Sequence, residues 1–336
     1  MTVLVTGGAG FLGRHVAASL LEQGVTRLRL HVRARAPEGL LDDLRARFPQ
    51  ASIEVAAANL LYRHELDALV DGVDCVVHAA AGMRGAAADM FANTVVGTRN
   101  LLDAAVAAGV RRVVLVSSFA VYRTAALPTG GRHDEAVPIE DIGIAKGAYA
   151  HAKTRQEHLV AQYRAAHGLE TVTLRPGVIY GPGGAGPSSR VGIQAMGLFF
   201  SLGGRAELPL TYVENCADAI AVAALRAPDG AAYSVVDDAL PSCADYLRAY
   251  RRGRGGLRVL PVPYWALLLG SRVLVAYHRR SKGQLPAVFT PYVVRSVYRP
   301  FKHSNAALKA LGWQPRVDTR EGMARTFATL AGAAER

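Results

Sequence analysis

Short apolar segments alternate with amphipathic segments along the first half of the chain. The apolar segments have the length and composition of buried parallel strands, and they occur at residues 3–5, 28–32, 52–56, 73–78, 113–116 and 171–174. Between them, apolar residues recur at helical spacing, which predicts helices at residues 11–21, 40–48, 62–70, 86–108 and 145–167. This alternation predicts the α/β class, with a doubly wound parallel sheet.

A glycine-rich turn joins the first predicted strand to the first predicted helix. Of its glycines, Gly7, Gly10 and Gly13 have steric roles: one permits the turn, one lets the backbone approach a pyrophosphate, and one lets the helix pack close to the strand. The N-terminus of the helix then presents free N–H groups and a positive dipole end to the phosphates. The order of strand, turn and helix favours a dinucleotide site, in a Rossmann sheet, over a purely structural turn.

The pattern changes after residue 176. Residues 181–187 are rich in glycine and proline and predict a loop, and residues 188–209 show no regular period. A short strand at 212–215, a helix at 217–225 and a strand at 233–236 follow. We therefore expect an NAD(P)-binding Rossmann domain of residues 1–176 with about 211–236. Residues 177–210 and 237–336 would form a smaller, mixed C-terminal substrate-binding lobe.

Composition and charge narrow the class of protein. A chain of 336 residues with 51% hydrophobic and 20% charged residues is typical of a soluble globular protein. The three cysteines (Cys75, Cys216 and Cys243) are far apart, so we expect neither a metal site nor a disulfide framework. The first strand begins at residue 2, which leaves no room for a signal peptide, so we expect a cytoplasmic protein. The net charge of +12 comes from arginines spread along the chain. The cluster at 251–256 has no interleaved aromatic residues, so a surface loop is favoured and no nucleic-acid partner is expected.

Residues 259–277 are unusually apolar. A membrane span needs about 20 apolar residues. Pro261 and Pro263 interrupt the start of this segment and Arg272 interrupts its end. A buried or substrate-facing helix is therefore favoured over a helix that contacts a membrane surface.

Tyr149 and Lys153 are candidates for acid–base chemistry. They are four residues apart on a predicted helix, so the phenol and the ammonium lie on one face. A neighbouring cation lowers the pKa of a tyrosine from about 10, which would make the phenol a usable proton donor and acceptor. Ser118 follows the fifth predicted strand, at the edge where ligands bind such sheets, and its hydroxyl could hold a substrate oxygen or cap a turn.

Together these residues resemble the extended short-chain dehydrogenase/reductases, a superfamily that includes NAD-dependent epimerases and dehydratases. The resemblance covers nearly the whole chain. It rests on the family motifs TGxxGxxG at 6–13, HxAA at 78–81, SSxAVY at 117–122, YxxxK at 149–153, RPxxxYGPG at 175–183, YVxN at 212–215 and LGWxP at 311–315. Arg123 stands where the family usually has glycine.

The resemblance implies that Tyr149 is the acid/base, that Lys153 also binds the nicotinamide ribose, and that Ser118 holds the reacting oxygen. The cofactor residues that it implies are Gly7, Gly10, Phe11, Leu12, Gly13, Asn59, Leu60, Ala79, Ala80, Ala81, Tyr149, Lys153, Pro176 and Val178. Asn59 replaces a frequent aspartate, but an amide can still donate and accept. Thr94 occupies the position of a frequent asparagine. Asn93 is one residue earlier, about 100° around a helix, so we expect it to face elsewhere.

The end of the second strand bears on the choice of cofactor. An acidic residue there binds the ribose of NAD, whereas an arginine accommodates the 2′-phosphate of NADP. This strand is followed by Arg33 and Arg35, with no acidic residue before Glu38. We hypothesise NADP, with Arg33 as the main phosphate ligand and Arg35 as a helper. NAD is the alternative if both arginines are merely solvated.

The signatures that hold a diphosphate in nucleotide-sugar epimerases of this family are absent here, and the neighbouring residues are apolar. The resemblance is therefore to the 3β-hydroxysteroid dehydrogenase and dihydroflavonol reductase branches. We predict hydride transfer between nicotinamide and a secondary alcohol or ketone of a largely apolar small molecule. A nucleotide-sugar epimerase, dehydratase or reductase is the alternative, with Arg190 or Arg205 on the phosphates, and a non-catalytic dinucleotide sensor is a minor one. The resemblance also implies a homodimer, and the small residues Ala104, Ala105, Ala107 and Ala108 would permit the close packing of helices at its interface.

Overall fold

Seven parallel strands form the central sheet of the protein. The computed structural model describes residues 1–34, 38–83, 85–184, 186–254, 257–281 and 289–334. The strands are β1 (Thr2–Thr6), β2 (Arg27–Val32), β3 (Ser52–Ala57), β4 (Cys75–His78), β5 (Arg112–Val116), β6 (Arg132–His133), β7 (Glu170–Pro176), β8 (Val178–Tyr180), β9 (Gly192–Ala195), β10 (Leu198–Ser201), β11 (Leu210–Tyr212), β12 (Ala232–Val235), β13 (Val259–Pro261) and β14 (Lys302–His303). The helices are α1 (Phe11–Glu22), α2 (Leu40–Arg47), α3 (Leu66–Val70), α4 (Ala87–Phe91), α5 (Gly97–Ala107), α6 (Ala148–His167), α7 (Val213–Arg226), α8 (Cys243–Arg254), α9 (Tyr264–Arg280), α10 (Pro291–Val297), α11 (Ala306–Ala310) and α12 (Thr319–Ala334).

The strand order of the main sheet is β12-β7-β5-β4-β1-β2-β3, and every neighbouring pair is parallel. The connections run in opposite directions on the two sides of the boundary between β1 and β4. A doubly wound sheet binds its ligands at the carboxyl ends of the strands beside such a switch point. The predicted α/β fold with a doubly wound parallel Rossmann sheet is confirmed.

Successive residues of β1 point to opposite faces of the sheet, and both faces are buried. Val3 and Val5 pack in a cluster that includes α1 and α7, whereas Leu4 packs in a second cluster with residues of α3, α5 and α6. A strand that is covered on both sides is apolar at every position, which explains the uninterrupted Val-Leu-Val run.

Smaller sheets lie outside the main one. Strands β9 and β10 form an antiparallel hairpin that β13 extends in parallel, while β8 pairs with β11 and β6 pairs with β14. A third apolar cluster joins β8, β10 and β11 to α8 and α12 through residues such as Phe199, Tyr246 and Phe327.

Several local expectations were wrong. Residues 188–209, expected to be irregular, contain the β9–β10 hairpin, whose four-residue strands are too short for a recognisable period. The strand expected at 212–215 ends at Tyr212, and α7 begins at Val213. Residues 251–254, expected in a loop, belong to α8, while 255–256 lie outside the described residues.

The apolar segment 259–277 departs furthest from expectation. It forms β13 and most of α9, and within α9 only Ser271 is buried. Several of its large apolar side chains, including Trp265 and Tyr277, are exposed to solvent. The expectation that this helix is buried was therefore wrong for the face that carries them. Within the described part of the chain, the structure contains no helix with the length and hydropathy that a membrane span requires.

Candidate active site

One pocket of about 730 Å³ lies at the carboxyl edge of the sheet, beside the switch point. It is lined by all the predicted site residues that the structure describes: Gly7, Gly10, Phe11, Leu12, Gly13, Arg33, Asn59, Leu60, Ala79, Ala80, Ala81, Ser118, Tyr149, Lys153, Pro176 and Val178. Arg35 lies outside the described residues. The structure therefore brings the candidate cofactor and catalytic residues into a single cavity.

Two glycines of the turn occupy positions where a side chain is strongly disfavoured. Gly7 has a φ of +69°, and a Cβ on Gly13 would lie 2.1 Å from the carbonyl oxygen of Gly7. Gly10 is the N-cap of α1 and provides no side-chain cap, so the first N–H groups of the helix remain available to a ligand. These residues fit the pyrophosphate of a dinucleotide, which binds such N–H groups.

His31 is hydrogen-bonded to the backbone of the glycine turn, a role that the sequence did not reveal. Its Nδ1 accepts a hydrogen bond of 3.3 Å from the amide of Gly7, and its Nε2 lies 2.8 Å from the carbonyl oxygen of Ala58. Burial lowers the pKa of His31, so the ring is neutral, with Nδ1 as the acceptor and Nε2 as the donor. The ring thus connects the ends of β1, β2 and β3.

Arg33 and Asn93 meet at the edge of the pocket. Nη2 of Arg33 donates to Oδ1 of Asn93 over 3.0 Å, and Nδ2 of Asn93 donates to the carbonyl oxygen of Asp89 over 2.8 Å. Arg33 is exposed, so its guanidinium is accessible from the mouth of the pocket. On the same wall, Oδ1 of Asn59 accepts from the amide of Leu61 over 3.1 Å, which leaves its side-chain amino group to face a ligand.

Asn93 lines the pocket, and the expectation that it faces elsewhere was wrong. The π-helical turn Ala92–Val96 contains Asn93 and ends directly before Gly97. A π-helical turn contains one more residue than an α-helical turn, so it compensates for the one-residue offset in sequence. Thr94 turns inwards instead, where its hydroxyl accepts from the amide of Gly82 over 3.0 Å.

Ser118 and Tyr149 lie together at the end of β5. The Ser118 hydroxyl accepts from the amide of Ala120 over 3.2 Å, and it is near enough to the phenol of Tyr149 to influence its pKa. Ser118 therefore both caps a turn and lies near the candidate acid. Burial raises the pKa of Tyr149, and the nearby Ser118 hydroxyl offsets part of this rise.

The expectation that the lysine lowers the pKa of the tyrosine was wrong for this structure. Lys153 is buried, and its Nζ donates to the carbonyl oxygen of Val116 and to Oε1 of Gln156, each over 2.8 Å. Burial lowers the pKa of Lys153 to about 8, against the opposing charge of Glu157. The ammonium is therefore fixed by a carbonyl group of β5 and by a side chain of α6 itself.

A buried polar chain connects Lys153 to the glycine turn. Nε2 of Gln156 donates to Oγ1 of Thr98 over 2.7 Å, and Nε2 of His78 lies 2.8 Å from the same oxygen. Nδ1 of His78 lies 2.7 Å from Oγ1 of Thr6. Burial lowers the pKa of His78 to about 3, so the ring is neutral. Because the Thr98 hydroxyl donates to the Thr94 carbonyl, His78 Nε2 is the donor to Thr98 and Thr6 donates to Nδ1.

A buried ion pair lies one turn further along the same face of α6. Nη2 of Arg175 lies 2.8 Å from Oε2 of Glu157, and the guanidinium makes further bonds to the same carboxylate. The hydroxyl of Ser117 also donates to Glu157, and the guanidinium of Arg175 lies 4.8 Å from the ring centre of Tyr122. This cluster fixes the ends of β5 and β7 against the helix that carries Tyr149.

Charged side chains are sparse in the pocket. Among its lining residues, Arg33 and Lys153 are the only lysine or arginine, and none is acidic. Neither Arg190 nor Arg205 lines it, and Nη1 of Arg190 instead donates to the carbonyl oxygen of Val297 over 3.2 Å. Beyond Tyr149 the walls are formed by Gly177, Val178, Ile179, Ser188 and Ser189.

Two alanines proposed for a dimer interface are not available to it. Ala104 and Ala105 are fully buried in the core of the chain itself, between α5 and the sheet. Ala107 and Ala108 are exposed.

The chain is similar to known proteins of one family. The family described as NAD dependent epimerase/dehydratase matches residues 3–236. Sterol demethylase protein B of Methylococcus capsulatus is 32% identical over 56% of this chain and 54% of its own length, so the chain spans about half of that relative. The 2-alkyl-3-oxoalkanoate reductase of Stenotrophomonas maltophilia is 29% identical over 98% of this chain and all of its own length.

The fold is shared with a solved structure that contains a dinucleotide. The UDP-glucose 4-epimerase of Thermus thermophilus in complex with NAD superimposes with a TM-score of 0.71, at 23% identity, over 99% of this chain and all of that one.

Proposed function

Since the chain belongs to the NAD-dependent epimerase/dehydratase family, we propose that it is an NADP-dependent oxidoreductase that interconverts a secondary alcohol and a ketone of a largely apolar small molecule. The observation that carries this proposal is that Ser118, Tyr149 and Lys153 line the same pocket as the glycine turn.

In the reductive direction, the chain must bind a carbonyl oxygen and protonate it. Bound nicotinamide supplies the hydride to the carbonyl carbon, or accepts it in the reverse direction. The Ser118 hydroxyl donates a hydrogen bond to the oxygen, and Tyr149 transfers its phenolic proton to the oxygen as negative charge develops there. The raised pKa of Tyr149 keeps the phenol protonated, as this step requires. Lys153, whose ammonium is held by Val116 and Gln156, would bind the nicotinamide ribose, as the family resemblance implies.

The preference for NADP rests on Arg33. Its guanidinium is exposed at the pocket edge, where a 2′-phosphate would replace the neutral amide of Asn93 as its partner. An arginine forms charge-assisted hydrogen bonds with phosphate that are stronger than those with an amide.

The apolar substrate is supported by the charges in the pocket. A nucleotide sugar carries a second diphosphate, whose binding is favoured by cations, but the only other lysine or arginine among the lining residues is Lys153, one of the candidate catalytic residues. Arg190 is hydrogen-bonded to a carbonyl oxygen outside the pocket. The alternative is a nucleotide-sugar epimerase, because a UDP-glucose 4-epimerase shares the fold.

A single-turnover experiment separates the two functions. Protein with stoichiometric NADPH is mixed in turn with apolar ketones, including 3-oxo-acid derivatives, and with UDP-hexoses, while the absorbance of reduced nicotinamide is followed. We expect net oxidation of NADPH with a ketone. Isomerisation of a UDP-hexose with oxidised cofactor, and no net oxidation with any ketone, would establish the epimerase instead.

A further inference from the structure

Helix α9 presents a continuous apolar stripe to solvent. Trp265, Leu269, Val273 and Tyr277 are four residues apart, so they lie one above the other on a single face. Their exposed fractions are 69%, 54%, 62% and 52%. The helix has 17 residues and is therefore about 25 Å long. Isolated exposed apolar residues are common, but an ordered stripe of this length marks an interaction surface.

The same part of the chain carries the positive charge of the protein. Residues 246–317 contain 14 lysines and arginines and not one aspartate or glutamate. In the rest of the chain, 27 acidic residues slightly outnumber 25 basic ones. The arginines are therefore not distributed evenly relative to the acidic residues, and the whole net charge of +12 comes from this segment.

Arginines flank the stripe on α9 itself. Arg272 is exposed beside Leu269 and Val273, and Arg279 and Arg280 are exposed in the last turn. None of the three forms an ion pair with any residue in the described part of the chain. Their guanidinium groups are therefore available to an external anion.

We propose that α9 lies flat on an anionic phospholipid bilayer. The stripe enters the boundary between headgroups and acyl chains, with the indole of Trp265 and the phenol of Tyr277 at headgroup depth, while the arginines contact lipid phosphates. The helix rests on the membrane and does not cross it, in keeping with its length and its three arginines.

Charge complementarity favours lipid over the other occupants of such a face. A symmetric contact with a second copy would bring two acid-free segments together, and like charges repel. A nucleic acid would attract the arginines through its phosphates, but it offers no partner for the aliphatic side chains of Leu269 and Val273.

The docked surface is connected to the pocket. Helix α9 packs against α10, which contacts the turn at 144–146 directly before the helix of Tyr149. After α10, the hydroxyl of Tyr298 donates to the carbonyl oxygen of Ser189 in the pocket wall over 2.9 Å. An apolar substrate dissolved in the bilayer would thus be close to its site. This last step rests on the proposed function, whereas docking on lipid does not.

The tryptophans provide the probe. The chain has two, and Trp313 is buried at 1% exposure while Trp265 is exposed. The full-length protein is titrated with vesicles of phosphatidylglycerol and phosphatidylcholine, and with pure phosphatidylcholine, at low and high salt. We expect a blue shift and quenching by brominated acyl chains with the anionic vesicles alone, and loss of both signals in Trp265→Phe.

Variants then separate the two contributions to binding. Tyr277→Glu is compared with Tyr62→Glu, a tyrosine of equal exposure (53%) outside the basic segment. We expect partitioning to weaken at least about tenfold in Tyr277→Glu and to stay unchanged in Tyr62→Glu. Removal of two charges in Arg279→Gln/Arg280→Gln should weaken partitioning by about 25-fold, since each basic residue near an anionic surface contributes about a factor of five.

Three results would overturn the proposal. The first is no sedimentation with anionic vesicles at low salt. The second is a dimer in light scattering that Leu269→Glu converts to monomer without any lipid effect, which would make the face an interface between copies. The third is binding to duplex DNA that is as tight as binding to vesicles and insensitive to Leu269→Glu. Activity towards soluble ketones is measured separately, so failure of docking and failure of the proposed function are distinguishable.

Discussion

Lys153 and Gln156 are joined by a hydrogen bond of 2.8 Å from Nζ to Oε1 within one turn of α6. Gln156 in turn donates to Thr98, so the position of the candidate catalytic ammonium depends on a chain of buried polar groups that reaches the end of β1. Gln156 touches none of the reacting groups. It is a positioning residue, and its effect should be visible through the titration of Lys153.

The alkaline limb of the pH–activity profile, where activity is lost as pH rises, should therefore shift when residue 156 is changed. Lys153 has a pKa of about 8, so kcat/KM should fall as pH rises through 8 and the ammonium is lost. Gln156→Leu removes an acceptor from the charged form, which lowers the pKa and moves the limb to lower pH. Gln156→Glu adds an anion and should move it to higher pH. The exposed Gln162→Leu on the same helix is the control. If the alkaline limb lies at the wild-type pH in both variants of Gln156, this residue does not position Lys153.

Arg33→Ala should lower affinity for NADPH by about 10- to 150-fold, the equivalent of about 1.5–3 kcal/mol for hydrogen bonds to a charged group. Affinity for NADH should change little, because NADH lacks the 2′-phosphate. Fluorescence titration with both cofactors measures the ratio, and Arg27→Ala, an exposed arginine at the start of the same strand, provides the control. Equal losses for the two cofactors would contradict the assignment of NADP.

Glu157→Gln should destabilise the protein by about 3–5 kcal/mol, because it leaves the buried guanidinium of Arg175 without its charged partner. The side chains of this pair are only 11% and 5% exposed. Glu321→Gln breaks the exposed pair with Arg325 and should cost less than about 0.5 kcal/mol. Urea denaturation measures both. Similar midpoints for the two variants would mean that the buried pair contributes no more than a surface pair.

Gly13→Ala should weaken dinucleotide binding by at least about fivefold, since an added Cβ would lie 2.1 Å from the carbonyl oxygen of Gly7 and must distort the turn, at a cost of about 1–3 kcal/mol. Gly270→Ala in α9 meets open space and should raise stability slightly. Isothermal titration calorimetry measures dinucleotide affinity in both variants, and thermal unfolding measures their stability. Unchanged cofactor affinity in a folded Gly13→Ala protein would contradict the phosphate role of the turn.

The parts of the site that the sequence predicted are those whose chemistry is local. The glycine turn, Ser118 at a strand end, and the four-residue spacing of Tyr149 and Lys153 each follow from one segment and its period. All of them meet in the pocket. The parallel sheet could be predicted equally well from the sequence, because strands buried on both faces are apolar throughout.

The features that the sequence did not reveal depend either on partners from other parts of the fold or on the direction in which a helix residue faces. Gln156 and His31 are ordinary polar residues until Thr98 and the Gly7 amide are placed beside them. Asn93 was excluded by counting 100° per residue, and a π-helical turn invalidates that count. An apolar helix such as α9 has the same composition whether its stripe faces the core or solvent, so its exposure could not be inferred from the run of apolar residues.

The most direct test of the proposed mechanism is single-turnover hydride transfer in Tyr149→Phe, with NADPH affinity measured on the same sample. The account predicts that the variant binds NADPH as the wild type does and that hydride transfer to a ketone substrate slows by about 100- to 10,000-fold, the usual contribution of a general acid. Hydride transfer at the wild-type rate by a cofactor-saturated Tyr149→Phe protein would contradict it.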